Sequence, residues 1–203
     1  MENLQRIELF GFPGSGKTTA LHAIGKQYSD FTSQKANISF NFKNSFALIR
    51  YLLFHPKSLQ LFKLKKNVPI IHSKTYQNTI IRFLLRMMVA ENNFKTKHKI
   101  IVDEGILQIT WSLLLLPSIY NKDFNSENEL KKIIKNWWPK ETILVYYIKI
   151  NHEEYIKRIN TRERRHFFSE EFKKGNKKYI SKGEELFDLI LQKAEKSYKT
   201  ISI

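Results

Sequence analysis

No cysteine occurs in the 203 residues, which excludes a disulfide framework, thiolate metal ligation and a cysteine nucleophile. Proline and glycine are scarce, at five and seven, and no Gly/Pro-rich linker, repeat or low-complexity stretch divides the chain. Long hydrophobic runs are missing as well. The most apolar segment, Ile106 to Leu116, is interrupted by Gln108, Thr110 and Ser112 and is too short to span a bilayer. Glu2 stands where a signal peptide would carry basic residues, so a soluble, cytoplasmic protein is expected. Acidic residues are few, 19 against 35 Lys plus Arg, giving a net charge of +16. Arginine is rarer still: eight of the 35 basic residues.

What is present suits one folded domain: 42% of residues are hydrophobic and 13% aromatic, enough for a real core at this length. The charge implies an anionic partner, or else lysine-rich compositional drift, since charge alone says nothing about chemistry. Arginine is therefore the more informative residue. Arg158, Arg162, Arg164 and Arg165 fall within eight positions, and Arg82 and Arg86 lie four apart on one face of an expected helix.

Apolar residues in Leu4–Phe10 predict a strand that runs directly into Gly11-Phe12-Pro13-Gly14-Ser15-Gly16-Lys17-Thr18-Thr19, with a helix following to about Tyr28. Alternation over 36–42 predicts a second strand. Helix is expected over 44–66 with a break at His55-Pro56, then from a Ser73 cap to about Asn92. Lys99–Val102 predicts a β-branched strand, followed by a helix ending at Pro117, helix over 126–138 and a strand over 142–150. Asn151 with Glu154 forms a capping-box-like start to another helix, and a basic segment follows. A helix over 181–196 and a strand over 198–203 complete the pattern. Strands alternating with helices imply an α/β fold, with a mainly parallel sheet covered on both faces.

Gly11-x-x-x-x-Gly16-Lys17-Thr18 satisfies the phosphate-loop pattern in full. Such a loop curls successive backbone amides around a polyphosphate at the positive end of the next helix. Gly11, Pro13, Gly14, Ser15, Gly16, Lys17, Thr18 and Thr19 are accordingly the expected ATP-binding residues, Lys17 reaching the outer phosphates and Thr18 ligating Mg²⁺. Asp103 and Glu104 end an apolar strand, where a carboxylate holds Mg²⁺, usually through water, or takes a proton from an attacking hydroxyl. Asp103 is the candidate metal ligand, and which of the two is the base stays open. Gly105 either lets substrate approach the backbone or begins a turn. Arg162 and Arg165 are candidates for stabilising transferring phosphate, Arg158 for holding ATP, and Arg82 and Arg86 for gripping an anionic acceptor. The six histidines show no metal-ligand spacing, and no Asn-Lys-x-Asp guanine reader or Leu-Ser-Gly-Gly-Gln signature occurs.

The loop after the first strand, Asp103-Glu104-Gly105 after an apolar strand, and Tyr146–Ile150 leading into Asn151, Glu154, Arg158 and Arg162 together resemble the thymidylate kinase-like nucleoside and nucleotide kinases. The resemblance implies a three-layer P-loop NTPase fold with a mainly parallel five-stranded sheet. Within a single domain it implies a helical acceptor-binding region over about 43–95, including Arg82. An arginine-bearing lid would span about 160–178, with Arg158 to Arg165 at its start. Gly14 to Thr18 would bind ATP phosphates and Mg²⁺, and Asp103 would be the carboxylate ending the third strand. Three departures leave the acceptor open. Glu104 stands where the family's thymidylate kinases carry arginine. The loop is equally similar to those of adenylate kinases and of toxins that phosphorylate nucleotide sugars. The chain also stops soon after its last expected strand, so the elements that cover adenine are expected to be shortened or absent. The implied activity is transfer of the γ-phosphate of ATP to a small anionic or hydroxylated acceptor: a nucleoside, nucleotide or nucleotide-sugar-like compound. A nucleic-acid-associated ATPase, or a polynucleotide 5′-kinase, is the alternative that the charge favours, although no nucleic-acid motif is present. A homodimer is compatible with either.

Overall fold

Strand β1 (Arg6–Phe10) is buried along its whole length because it lies at the centre of a parallel sheet. A computed structural model describes residues 4–34, 42–96, 98–140, 143–150, 153–154, 157–158, 177–195 and 199–202. After β1 come α1 (Lys17–Gln27), β2 (Thr32–Gln34), α2 (Phe42–Phe54), a 3-10 segment (Pro56–Asn67) and α3 (Ile70–Lys95). They are followed by β3 (Ile100–Val102), α4 (Ile106–Tyr120), α5 (Ser126–Trp137), β4 (Ile143–Tyr147), α6 (Lys177–Ala194) and β5 (Lys199–Ser202). The sheet order is β2-β3-β1-β4-β5, with every neighbouring pair parallel. Register places Ile7 of β1 between Ile101 and Leu144, so the carboxyl ends of β1 and β3 emerge side by side. In a parallel sheet that edge is where ligands bind.

Alternation along the strands sorts their side chains onto two faces. Ile7, Leu9, Ile101, Leu144 and Tyr146 pack with Leu21 and Ile24 of α1. Phe10, Ile143 and Val145 face a larger core built from α3 to α6, including Phe83, Trp111 and Phe187. The result is helix, sheet, helix in three layers. Helix α4 lies inside the larger core, with nearly every residue from Ile106 to Ile119 buried, and so reads as apolar all round rather than amphipathic. Among the described residues, no helix is long and apolar enough to cross a membrane.

Several sequence expectations shift for physical reasons. A strand not foreseen lies at Thr32–Gln34; the strand expected over 36–42 falls, as far as residue 41, outside the described residues, and Phe42 opens α2. An edge strand paired only with β3 needs no apolar alternation, so Thr-Ser-Gln gave no signal. The chain breaks at His55-Pro56 as expected, but the next turns are 3-10 rather than α. Ser58, Leu61 and Leu64 are its buried residues, and their spacing of three suits a helix with three residues per turn. Helix α3 starts at Ile70, directly after Pro69, so Ser73 lies inside the helix and does not cap it. Strand β4 stops at Tyr147, and α6 starts at Lys177, four residues before the expected Ser181. Residues 160–176 of the expected lid, and Asn151, lie outside the described residues.

Pro117 does not end α4. Proline has no N–H to give the carbonyl four residues earlier, which leaves Leu113 without its helical partner. The Tyr76 hydroxyl of α3 donates to the Leu113 carbonyl at 2.8 Å and replaces the missing bond, so α4 continues to Tyr120. Removing this hydroxyl with Tyr76→Phe should destabilise the protein by about 1–3 kcal/mol, because a buried carbonyl loses its donor. Urea unfolding measures it. A midpoint that drops at constant m-value supports the assignment, and an unchanged midpoint refutes it.

Candidate active site

The loop between β1 and α1 is shaped by two left-handed glycines, Gly14 at φ 103° and Gly16 at φ 96°. Side chains with a Cβ rarely adopt that conformation. Ser15 N–H donates to the Phe12 carbonyl at 3.0 Å and closes the turn, after which Lys17 opens α1. Among the described residues no side chain caps the first turn of α1, and uncapped helix-start amides are the kind of group that binds anions. Lys17 Nζ reaches back over the loop and donates to the carbonyls of Gly11, at 2.6 Å, and Phe12, at 2.8 Å. The Ser15 hydroxyl is buried without a hydrogen-bond partner, whereas Thr18 and Thr19 are exposed at the helix start.

Because β3 pairs with β1, the turn at Asp103-Glu104 sits beside this loop. Asp103 is half-buried and Glu104 exposed. Arg86 comes to them from α3: it is buried, and its Nη2 lies 3.8 Å from Glu104 Oε2. Burial lowers its pKa, while Glu104, Asp103 and Glu8 act in the opposite direction. Arg82, one turn earlier, is exposed, so the shared face expected for this pair divides into one buried and one solvated guanidinium. Arg158 lies in the segment that follows β4, the other neighbour of β1 in the sheet. Its Nη1 donates to the Ser15 carbonyl at 3.3 Å and its Nε to Glu154 at 2.7 Å, a bond that holds the Glu154 carboxyl below the usual range. Arg162, Arg164 and Arg165 lie outside the described residues.

Three site-forming residues escape a reading of the sequence. Arg6 and Glu8 project from β1 toward α4, fully buried, with Arg6 Nε 2.6 Å from Glu8 Oε1. Two charged residues at i, i+2 within an apolar strand were the available signal. The Gln108 side chain, which interrupts the apolar run of α4, accepts from the Gly11 amide at 3.3 Å. Gly105 also changes meaning. The space that a Cβ would need there is filled by the Glu8 carboxylate, so this glycine accommodates the protein's own side chain and leaves no approach for substrate. Among the described residues no group of three or more His, Asp or Glu side chains forms a metal cluster. The oxygen donors of Thr18 and Asp103 nonetheless suit Mg²⁺, which takes most of its ligands from phosphate and water.

No protein-family model and no curated protein matches the sequence. Solved structures do. Deoxyadenosine kinase from M. mycoides with bound dATP superposes with a TM-score of 0.59 at 19% identity, covering 98% of this chain and 90% of that one. The same enzyme with bound dCTP gives 0.58 at 19% identity, covering 98% and 89%. Thymidylate kinase from Ehrlichia chaffeensis gives 0.51 at 14% identity, covering 98% and 87%. At these identities the likeness establishes the fold, an α/β architecture with a parallel sheet shared with nucleoside and nucleotide kinases. Gly16→Ala tests the loop geometry. It should cost about 1–2 kcal/mol in stability from the left-handed backbone, and it places a methyl 3.3 Å from Arg158 Nη1. Binding of ATP with Mg²⁺, measured by calorimetry, should weaken at least about tenfold; unaltered affinity would mean that the loop does not clasp phosphate.

Proposed function

We propose that this chain is an ATP- and Mg²⁺-dependent phosphotransferase acting on a small molecule, with a nucleoside or nucleotide as its first candidate acceptor. One observation carries the reading. A loop with left-handed Gly14 and Gly16 leaves β1 beside β3, which leads into Asp103 and Glu104, while Arg86 lies 3.8 Å from Glu104 and Arg158 donates to the Ser15 carbonyl of the loop. The fold shared with deoxynucleoside and thymidylate kinases, one of them solved with dATP and dCTP, supports nucleoside-type acceptors over sugars.

In this reading the amides of Gly14 to Thr18 hold the β- and γ-phosphates. Lys17 exchanges the Gly11 and Phe12 carbonyls for phosphate oxygens. Thr18 and Asp103 would hold Mg²⁺, which when bound would neutralise phosphate charge. The acceptor oxygen forms a bond to the γ-phosphorus as the β–γ bridging P–O bond breaks, and ADP leaves. For a hydroxyl acceptor, the proton passes to Asp103 or Glu104. Charge spreads over the equatorial oxygens at the transition state, so guanidinium groups contribute by placement and not by covalent work. Arg162 and Arg165 take that part, while Arg158, which donates to the Ser15 carbonyl, holds ATP beside the loop. Arg86 orients Glu104, and Arg82 remains available to an anionic acceptor.

Lys17→Ala should abolish transfer, read as ADP release over nucleosides, nucleoside monophosphates, sugars and nucleotide sugars. Normal turnover by that variant with any acceptor contradicts the proposal. Arg162→Ala should lower kcat by about a hundredfold while ATP affinity stays within roughly threefold. The opposite pattern would remove Arg162 from the transition state. Steep loss of single-stranded DNA binding as salt rises would favour a polynucleotide acceptor instead.

A further inference from the structure

Helix α4 begins without a cap of its own. Gly105 is its N-cap residue and has no side chain to offer the orphan amides of the first turn. Glu8, 99 positions away on β1, supplies the acceptor: its Oε2 takes the Leu107 amide at 3.2 Å. Its carboxylate fills the volume of the missing Cβ at Gly105, and its Oε1 binds Arg6. The next residue of α4, Gln108, is tied to β1 from the other direction by accepting the Gly11 amide. The first turn of α4 is therefore joined to the central strand at Glu8 and to the first amide of the phosphate loop. Between that turn and β3, whose Val102 is in register with Glu8, lies the Asp103-Glu104 turn.

A charged pair on a sheet face that is otherwise apolar costs desolvation that hydrophobic residues of similar volume avoid. Packing alone does not call for it, and among the described residues the buried Arg6 Nη1 has no hydrogen-bond partner. Resting on the phosphotransferase reading, we infer that Glu8, with Gln108, is a positioning residue for the reaction, fixing the Asp103-Glu104 carboxylates relative to the phosphate loop through the start of α4. Neither side chain reaches substrate. Each holds backbone that carries groups which do, and a displacement of about 1 Å in such groups costs about a hundredfold in rate.

The test separates position from stability. Glu8→Met alone removes the acceptor of the Leu107 amide and leaves Arg6 as a buried, uncompensated charge, so it should lower both melting temperature and kcat. The double variant Arg6→Met/Glu8→Met removes that charge as well, so its melting temperature should recover toward wild type. Its Kd for ATP with Mg²⁺ should stay within about threefold, while kcat remains at least about tenfold down. Gln108→Met introduces no charge and gives an independent reading, with the same expected split of lowered kcat and kept ATP affinity. Stability and kcat recovering together in the double variant, or Gln108→Met losing ATP affinity at unchanged kcat, overturns the inference while the phosphotransferase reading survives. A wild type that releases no ADP with any nucleoside, nucleoside monophosphate, sugar or nucleotide sugar overturns both.

Discussion

At the exit of β1 the backbone turns left-handed twice within three residues, at Gly14 and Gly16, and the remaining parts of the site take their places around that turn. Glycine adopts this conformation at little steric cost, which lets consecutive amides converge on one point in front of α1. Because β1 is the central strand and pairs with β3, the loop leaves the same sheet edge from which β3 leads into Asp103 and Glu104. Arg158 then contacts the loop through the Ser15 carbonyl, and Lys17 closes it from above. On the proposed reading, a catalyst that works by placement and charge would need such parts on rigid elements, and the strands would supply that rigidity.

Helix α4 is the second organising element. It is buried on all sides, which makes its position sensitive to each contact, and its irregularities are all compensated from elsewhere in the chain. Tyr76 supplies the hydrogen bond that Pro117 cannot give, Glu8 caps the end that Gly105 cannot, and Gln108 ties it to the loop. Each compensation comes from a residue at least 37 positions away, so α4 is an element whose local sequence and tertiary setting are inseparable.

That separation also explains what a sequence reading finds. The phosphate loop, β1 and β3 were legible because their signals are local: a fixed glycine spacing, and short apolar runs buried on both faces. Strand β2 was not legible, since a polar edge strand is held by backbone pairing that any side chains permit. The end of α4 was misplaced because proline is a local stop signal, and the donor that cancels it sits on another helix. Gly105 was open between room for a substrate and the start of a turn, and the Glu8 carboxylate beside it accounts for the missing side chain. Arg82 and Arg86 shared a face by spacing, yet only Arg86 is drawn under the core edge toward Glu104. Helical period tells which side a residue is on and not how deep it lies.

The account stands on the amides of residues 14 to 18 binding a triphosphate. Backbone amide NMR of the full chain, titrated with ATP and Mg²⁺, reads those groups one by one. Saturable shifts should concentrate at Gly14, Gly16, Lys17 and Thr18, with the largest displacements toward stronger hydrogen bonding. Amides of the loop that stay unmoved through the titration, while shifts appear elsewhere or nowhere, would contradict it.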